Sequence, residues 1–504
     1  MDITFKEQLT HLAIALFILS ALNLSACATN PVTGNSDFMI LSEQDEKEMG
    51  ATEHPNILNQ YGVYSQQKLQ RYVNRIGQKL AANSHRSRLD YTFTVLDSPM
   101  VNAFALPGGY IYITRGMMAY LNSEAQLAAV LGHEIGHITA RHGVRQYSAA
   151  RATSIGSIIG SLFLPGGFSS VAQSLVDVLG SAIIQGYGRD YELQSDGLSA
   201  EYLAASGYNP ESMIEVIVIL KAQEEYEKQL AKEQNRKPNV YHGVFASHPE
   251  NDERLQAVVL KTKTMEKYQQ TITTSSFDKH KIDPYLLQIN GLVYGDGEDK
   301  GRIYNNRFFQ ASLGVSLALP EGWNIKRTNK QLLMLSPKQD ALLAVWVVNP
   351  SDNKTLQQQL SELFELKEKI LKTNIMQTEN GKTILTTRAK SESPFGVDEN
   401  LLALVELNKK RFVFMGAVDD DDARNLYQAI FTDTMKSLRK ILPEEQQYAK
   451  PLRIKIVNNN KKQNISSLAK ILPLADHKEE QLRMLNGVYP KGNLNSLYEI
   501  KLIQ

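Results

Sequence analysis

The segment His133-Glu-Ile-Gly-His137 constrains this 504-residue chain more than any other. On an α-helix, residues four positions apart share one face, so His133 and His137 can direct both imidazoles at one Zn²⁺. Glu134 can then act as the general base: it takes a proton from zinc-activated water as that water attacks a carbonyl, and passes it to the leaving amine. The motif predicts a zinc peptidase. The alternative is a core helix with two hydrogen-bonded histidines.

The residues around this motif predict a buried helix. Ser123-Glu-Ala-Gln126 is typical of a capping box, in which Gln126 reaches back to the cap residue. Apolar residues then recur near helical spacing; they are Leu127, Val130, Leu131, Ile135 and Ile138. We therefore expect one buried helix to carry both histidines.

A third metal ligand is available further along the chain. Glu192 and Asp196 lie four residues apart, so both face the same way on a second helix. Glu192 can complete a His₂Glu set, which leaves the fourth position of a catalytic zinc site for water. Asp196 is placed to accept the second N–H of a ligating imidazole and so to set its tautomer. Taken alone, such an acidic pair is more often a solvated helix face.

The order and spacing of these residues resemble the gluzincin peptidase family that includes HtpX, the CAAX prenyl proteases, BepA and LoiP. The resemblance covers about residues 30–265. It rests on His133, Glu134, His137, Glu192, Asp196, residues 102–110, and Ser247-His248-Pro249 with Arg254. Two positions depart from the family pattern. Members often carry Ala where Ser195 stands, and they often have a second Arg or Glu near Asp190. The resemblance implies a mainly helical zincin-type peptidase domain with a small edge-strand sheet and one Zn²⁺ per chain.

The segment before the zinc helix is a candidate substrate site. Val101 to Thr114 reads as two short strands around the turn Pro107-Gly-Gly109. The family resemblance implies that an edge strand here binds substrate main chain by strand addition. The residues that would do so are Asn102, Ala103, Phe104 and Ala105. An ordinary core hairpin is the competing interpretation.

His248 is the remaining candidate at the site. This imidazole precedes a proline and lies near Arg254 in the sequence. It can hydrogen-bond the oxyanion that develops during hydrolysis, or cover the metal in a resting state. A structural histidine is the alternative, and the resemblance favours a role at the site.

The N-terminus predicts export and a lipid anchor. Residues 12–22 are an apolar run of signal-peptide length, too short to span a membrane as a helix. Leu24-Ser-Ala-Cys27 follows and resembles the lipobox of bacterial lipoproteins, which implies a signal peptide over residues 1–26 and lipidation of Cys27. Cys27 is the only cysteine, so no internal disulfide can form. Ala28 favours the periplasmic face of the outer membrane over inner-membrane anchoring, and an uncleaved anchor is the other alternative.

The composition argues against a nucleic-acid partner and does not itself indicate a function. The 55 Lys and Arg against 54 Asp and Glu leave a formal charge of +1, so nothing predicts a nucleic-acid partner. Two apolar segments, 155–165 and 171–184, are expected to form a helix pair between the zinc helix and Glu192. They read as core, or as a cover or surface that touches membrane partners.

The whole chain is predicted to be α+β. We expect the zinc peptidase domain over residues 27–270, a linker over 271–300, an α+β domain over 301–442 and a small module over 450–504. The 301–442 domain alternates strands with helices at 356–371 and 420–438, has no catalytic constellation, and faintly resembles PsbP-like domains.

The last segment resembles a LysM module with β-α-α-β order, a fold that binds peptidoglycan. The Gly-Asp-Thr usual before its first helix is replaced by Lys462-Gln-Asn464, so a module without glycan binding is the alternative.

Together these features predict a zinc endopeptidase of the bacterial cell envelope. Its expected substrates are misfolded or stalled envelope proteins, with peptidoglycan as a candidate partner. The alternative is a chaperone-like or scaffolding lipoprotein with a mostly closed site, tethered to peptidoglycan. The complete set of His133, Glu134, His137 and Glu192 favours the enzyme, because a scaffold needs no general base beside its metal.

Overall fold

The computed structural model describes the chain from Cys27 to Gln504 with gaps. The described residues are 27–149, 187–233, 238, 283–297, 300–327, 331–351, 353–366, 373–459, 464–474 and 476–504. They fall in two compact units, the first within residues 1–294 and 453–504 and the second within 295–452. The expected signal peptide, the apolar segments 155–165 and 171–184, and His248 with Arg254 lie outside the described residues.

Helices and strands are interspersed along the described residues, and residues 142–149 are helical in addition to the helices with stated bounds. The helices are α1 Glu43–Tyr61, α2 Gln67–Ala81, α3 Arg115–Tyr120, α4 Glu124–Thr139, α5 Arg189–Ala205, α6 Ser212–Glu233, α7 Pro284–Ile289, α8 Leu356–Leu363, α9 Asp421–Lys436, α10 Gln446–Ala449, α11 Ile465–Ile471 and α12 Lys478–Leu485. The strands in the first part are β1 Cys27–Thr29, β2 Ser36–Phe38, β3 Thr92–Leu96, β4 Ala103–Leu106, β5 Tyr110–Thr114 and β6 Val293–Tyr294. Those that follow are β7 Arg302–Tyr304, β8 Arg307–Gln310, β9 Val315–Ala318, β10 Asn324–Arg327, β11 Gln331–Leu335, β12 Ala341–Val348, β13 Thr373–Gln377, β14 Thr383–Ser393, β15 Gly396–Leu407, β16 Lys410–Val418, β17 Arg439–Lys440, β18 Leu452–Asn458 and β19 Glu499–Ile503.

The predicted mixture of helices and strands is confirmed. None of the described helices combines the length and the apolar character that crossing a membrane requires.

A small sheet lies beside the zinc helix, as the family resemblance implied. Its strand order is β3-β5-β4, with β3 parallel and β4 antiparallel to β5. The turn between β4 and β5 places Gly108 at φ 83° and Gly109 at φ 101°, a region where only glycine is unstrained. Among the described strands of this sheet, β4 is an edge strand.

Helix α4 is the buried helix expected around the HEIGH motif. The Ser123 hydroxyl accepts a hydrogen bond from the Gln126 amide, and every residue from Gln126 to Thr139 is buried. The capping box is not reciprocal, which corrects the prediction. The Gln126 side chain instead accepts from the Asn122 amide at 2.6 Å, one residue before the cap.

The C-terminal segment is part of the first unit. Its β18, α11, α12 and β19 confirm the predicted β-α-α-β order, and β18 is the centre of a sheet ordered β19-β18-β6. The described end of the expected 271–300 linker is not an extended connection. Helix α7 and β6 occupy it, and the fully buried Tyr285 donates a hydrogen bond to the Met118 carbonyl at 2.5 Å. A two-residue strand gives too short a pattern to detect from the sequence.

Lys501 joins the C-terminal segment to the start of the zinc helix. Only 1% of this side chain is exposed, and its ammonium donates to the carbonyls of Ala119 (2.7 Å) and Leu121 (2.8 Å). Burial lowers the pKa of Lys501 well below its usual value. These carbonyls lie at the end of α3, so the N–H donors of Lys501 meet the negative end of that helix.

The second unit is built on two antiparallel sheets. Among the described strands, one sheet has the order β10-β11-β12-β16-β15-β14-β13 and the other β17-β9-β8-β7. Helix α9 packs on the larger sheet, where Gly416 leaves room for the Phe431 ring, and Trp323 meets Tyr427 edge-on at 5.5 Å. The predicted helix over 356–371 ends at Leu363, because Phe364 leaves helical geometry and Glu365 adopts φ 53°.

We predict that Lys501→Ala destabilises the first unit by about 3 kcal/mol, because two buried carbonyls lose their donor and a cavity opens. Thermal and denaturant unfolding of the full chain measure this. Lys455→Ala is the matched control, since Lys455 lies exposed on β18 of the same sheet. Equal stability of the two variants would contradict the assigned contact.

Candidate active site

Two histidines converge on one face of α4. The Nε2 atoms of His133 and His137 lie 2.9 Å apart, and the two rings meet edge to face at 4.7 Å. Only 4% and 2% of these residues are exposed. The i, i+4 spacing therefore produces the pair of imidazoles that the sequence predicted.

Glu192 on α5 completes the group. Its carboxylate oxygens lie 3.5 Å from His133 Nε2 and 3.3 Å from His137 Nε2. Two ligands of one tetrahedral Zn²⁺, each about 2.05 Å from the ion, lie about 3.3 Å apart. The three separations, 2.9, 3.3 and 3.5 Å, lie around that value, so the donor set fits zinc in both chemistry and spacing.

The charges of the site also fit a cation. Three carboxylates, those of Glu134, Glu192 and Asp196, are each at most 2% exposed. Burial alone would lower the pKa of His133, but Asp196 and Glu192 raise it above its usual value. Burial lowers the pKa of His137 well below its usual value. A pocket in which carboxylates outnumber the groups that carry positive charge favours a bound divalent ion.

Small residues let α5 approach α4 closely enough to place Glu192. A Cβ on Gly132 would lie 2.9 Å from Ser199 Oγ, and one on Gly136 would lie 2.6 Å from Ser195 Oγ. The two serines use the short distance: Ser195 Oγ donates to the His133 carbonyl at 2.5 Å, and Ser199 Oγ donates to the Ala129 carbonyl at 2.7 Å. Ser195, a departure from the family pattern, therefore binds the backbone of a metal-ligand residue.

Asp196 lies where the sequence predicted. Its Oδ1 atom is 2.8 Å from His133 Nδ1, the ring nitrogen opposite the metal-facing Nε2. A carboxylate there keeps the proton on Nδ1 and leaves Nε2 free to bind a metal. Glu192 is thus placed to supply one oxygen ligand, and Asp196 to orient the His133 ring.

Sequence reasoning missed the partner of the second histidine. His137 Nδ1 lies 2.9 Å from His142 Nδ1, and His142 Nε2 lies 3.0 Å from Gln194 Oε1. If Nε2 of His137 binds the metal, its Nδ1–H donates to His142, whose Nε2–H then donates to Gln194. Burial lowers the pKa of His142 to about 4, which keeps this ring neutral and able to accept.

The chain direction explains why His142 was missed. On a continuous helix, a side chain five positions further along points about 140° away. The His142 side chain would therefore point away from His137. Helix α4 ends at Thr139, and Arg141 adopts φ 55°, which reverses the chain and returns His142 to the site. A third histidine shortly after the motif was the available signal. Tyr187, stacked on His137 at 4.1 Å, was also missed.

The four proposed substrate-binding residues lie together at the sheet edge. Ala103, Phe104 and Ala105 are in β4, and Asn102 precedes it with its carbonyl bonded to the Thr114 amide. All four are at most 6% exposed. The Phe104 ring stacks on Tyr112 at 4.9 Å inside a core cluster, so only main-chain atoms of this residue can serve a substrate.

Two other predicted residues cannot be placed. His248 lies outside the described residues, and the structure describes the backbone of Cys27 as the first residue of β1 but not its side chain. Their expected roles stay predictions.

Comparison with known proteins identifies the domain. Residues 67–261 match the model of Peptidase family M48. This segment is similar to the M48 peptidases. M48 metallopeptidases use zinc, in agreement with the His133, His137 and Glu192 donor set.

Curated relatives match part of the chain. The chain is 30% identical over 167 residues to the beta-barrel assembly-enhancing protease of Yersinia pestis, which covers 31% of this chain and 34% of that protein. It is 27% identical over 194 residues to the protein of that name in Escherichia coli K12, covering 37% and 39%. It is 30% identical over 149 residues to the mitochondrial metalloendopeptidase OMA1 of Arabidopsis thaliana, covering 29% of each. The chain thus spans about a third of the length of these relatives.

One solved structure also matches part of this chain. Cyanobacterial PsbP (CyanoP) from Synechocystis covers 28% of this chain and 93% of its own, at 12% identity and a TM-score of 0.21. That score supports no conclusion about the fold, so the likeness of residues 301–442 to PsbP-like domains stays a prediction.

We predict that Gly136→Ala lowers zinc affinity at least tenfold. Alanine stabilises an unobstructed helix by about 1 kcal/mol over glycine. Here its Cβ would meet Ser195 and push α5, with Glu192, away from α4. A competition titration with a zinc chelator measures the affinity.

A second substitution tests the cause of that loss. Adding Ser195→Ala to Gly136→Ala removes the atom 2.6 Å away, so the double variant should recover part of the affinity, relative to Ser195→Ala alone. A Gly136→Ala protein with normal zinc affinity and higher stability would show that the space between α4 and α5 accommodates the added methyl group.

We also predict that His142→Phe weakens zinc binding about 10- to 100-fold, because His137 loses the acceptor that orients its ring. Phenylalanine keeps the aromatic stacking on Tyr191, which lies 4.4 Å away, and removes only the nitrogens. Zinc competition measures the effect, and His85→Phe is the control because that ring contacts Tyr202 instead. Unchanged zinc affinity in His142→Phe would contradict the assignment of His142 as the residue that orients the His137 ring.

Proposed function

We propose that this protein is a zinc endopeptidase of the bacterial cell envelope that cleaves misfolded or stalled envelope proteins. One observation supports this above the others: His133, His137 and Glu192 converge within 4.8 Å of one another beside the buried Glu134. The M48 match and the relatives named beta-barrel assembly-enhancing protease support the envelope role.

Each residue of the site has a part in the proposed reaction. Zn²⁺, when bound, supplies the Lewis acidity that activates water and polarises the substrate carbonyl. His133, His137 and Glu192 would hold it, and Asp196 and His142 would orient the two rings. Glu134 takes the proton from the attacking water at its carboxylate and delivers it to the departing amine. Tyr187 covers one face of His137 and helps to exclude solvent.

The substrate is proposed to bind as an added strand. Edge strand β4 offers main chain, while Phe104 is occupied in the core, so the site discriminates little between side chains. Extended or unfolded polypeptide satisfies that requirement, and folded proteins do not. This favours stalled or misfolded chains as substrates.

Attachment to the membrane is proposed to occur through Cys27 at the outer membrane, with the inner membrane as the alternative. Strand β1 starts at this residue and pairs with β2, and Asp37 of that hairpin forms an ion pair with Arg145 at 3.1 Å. Arg145 lies three residues after His142. A lipid on Cys27 would therefore hold the zinc site close to the membrane surface.

His248 is proposed to act at the site, either as an oxyanion donor or as a cover of the resting metal. The chain's LysM-like segment leaves peptidoglycan as a proposed partner.

The burial of the site favours one second candidate. His133, Glu134 and His137 are each at most 4% exposed, as expected for a mostly closed site in a chaperone-like or scaffolding lipoprotein. Such a protein would bind unfolded chains and seldom cleave them.

We predict that Glu134→Gln keeps its zinc and lowers cleavage of unfolded outer-membrane protein by about 10²- to 10⁴-fold, because only the proton carrier is lost. Turnover and zinc per chain are measured on one preparation of the full chain, with and without chelator. Glu48→Gln on the exposed face of α1 is the control and should match wild type. Binding without cleavage in the wild-type protein would favour the scaffold.

A further inference from the structure

The second unit contains a cavity unrelated to the zinc site. It has a volume of about 480 Å³ and lies between the smaller sheet and the strands β10 to β12 and β16 of the larger one. All of its lining residues belong to the second unit. Small-molecule sites in proteins span roughly 300–1,000 Å³, whereas close-packed interiors leave few voids larger than a water molecule. The size is that of a ligand site.

The strand registers turn apolar side chains into this space. Val345 lies opposite Leu332, Val347 opposite Phe412, and Phe308 opposite Leu317, and all six line the cavity. Side chains alternate between the two faces of a strand, so Val345 and Val347 share the cavity face while Val348 lies on the other. The floor is therefore continuous and apolar.

The rim has a different chemistry. Lys300, Gln310, Arg327 and Gln331 line the same cavity. Arg327 forms an ion pair with Asp296 and donates to the Gly301 carbonyl at 3.1 Å. Among the described residues, the Lys300 ammonium forms no ion pair. Among the described residues, the rim carries two cations and one carboxylate, a net positive charge, beside the amides of Gln310 and Gln331.

We infer that this cavity binds a single acyl chain that ends in an anionic group. The apolar floor takes the chain, and Lys300 and Arg327 meet the head group. At about 30 Å³ per group, the share of one molecule in liquid water, 480 Å³ holds about 16 non-hydrogen atoms. That is one chain of 12 to 14 carbons with its carboxylate. A two-chain phospholipid is too large.

Isothermal titration of the full chain with laurate, below the concentration at which laurate self-associates, tests the inference. We expect one laurate per chain, and at least tenfold weaker binding of dodecanol and dodecyltrimethylammonium, which keep the chain and change the head group. Lauroyl-lysophosphatidylglycerol in a parallel arm distinguishes a lysolipid from a free fatty acid as the source. Equal affinities for laurate and dodecanol, or no binding of either anionic probe, would overturn the inference.

Substitutions separate the rim from the floor. Lys300→Gln and Arg327→Gln should each weaken laurate binding about tenfold and leave dodecanol binding unchanged. Lys326→Gln is the matched control, because Lys326 neighbours Arg327 on β10 but is exposed and does not line the cavity. Full laurate affinity in both rim variants would contradict the assigned head-group contacts.

Val347→Trp should fill the cavity and abolish binding, whereas Val348→Trp, on the opposite face of β12, should not. Circular dichroism and melting temperature identify a variant that has lost its fold. If a tryptophan variant has lost its fold, the Lys300→Gln and Arg327→Gln variants still test the inference. Binding of an apolar peptide in place of laurate would overturn the acyl-chain assignment in favour of a peptide site.

Discussion

The close approach of α5 to α4 decides where every described metal-binding side chain lies. Gly132 and Gly136 remove the side chains that would separate the helices, and Ser195 and Ser199 replace lost apolar contact with hydrogen bonds to backbone carbonyls. Glu192 then stands within 3.5 Å of both imidazoles. A shift of α5 by the width of a methyl group would leave two histidines without their third ligand, because zinc tolerates only a few tenths of an ångström in ligand distance. The faces of α4 and α5 thus carry the candidate ligands. The short distance between the two helices brings these side chains together at one site.

Helix α4 is also held at both ends by buried charges. Before its start, Lys501 from the far end of the chain binds the carbonyls of residues 119 and 121. After its end, Arg141 pairs with Glu46, which also accepts from Arg86 at 2.8 Å. Each of these basic side chains is buried and multiply hydrogen-bonded, so its polar atoms keep partners in the protein interior. Such contacts fix the position of α4, and they thereby fix the positions of His133 and His137 on it. The C-terminal segment therefore has a structural part in the peptidase unit whether or not it binds glycan.

Local patterns in the sequence predicted what depends on local geometry. The i, i+4 histidines, the facing of Glu192 and Asp196, the hairpin around Gly108 and the β-α-α-β order of the C-terminus all follow from periodicity or turn chemistry. The errors arose at a chain reversal, at a choice between neighbouring backbone amides, and where distant segments pair. His142 reaches His137 only because the chain reverses at Arg141, and β6 is recognisable only through its pairing with β18. Gln126 bonds to Asn122 rather than to the cap residue, a choice between neighbouring amides that spacing cannot resolve. The family resemblance supplied the placement of the edge strand beside the zinc helix, and no periodicity alone would have done so.

The burial of the site bears on how the proposed peptidase would choose substrates. The side chain of Phe104 is committed to the core, so strand β4 can offer a substrate little beyond main-chain hydrogen bonds. Main-chain recognition accepts almost any extended segment, and it therefore cannot by itself spare healthy proteins. At the same time, the metal-binding histidines and Glu134 are at most 4% exposed, so few polypeptides can reach them. In the proposed peptidase, selectivity would then rest on access: a chain would be cleaved when it is extended long enough to enter a site that is mostly closed. An envelope protein that has stalled before folding meets that condition, and a folded one does not.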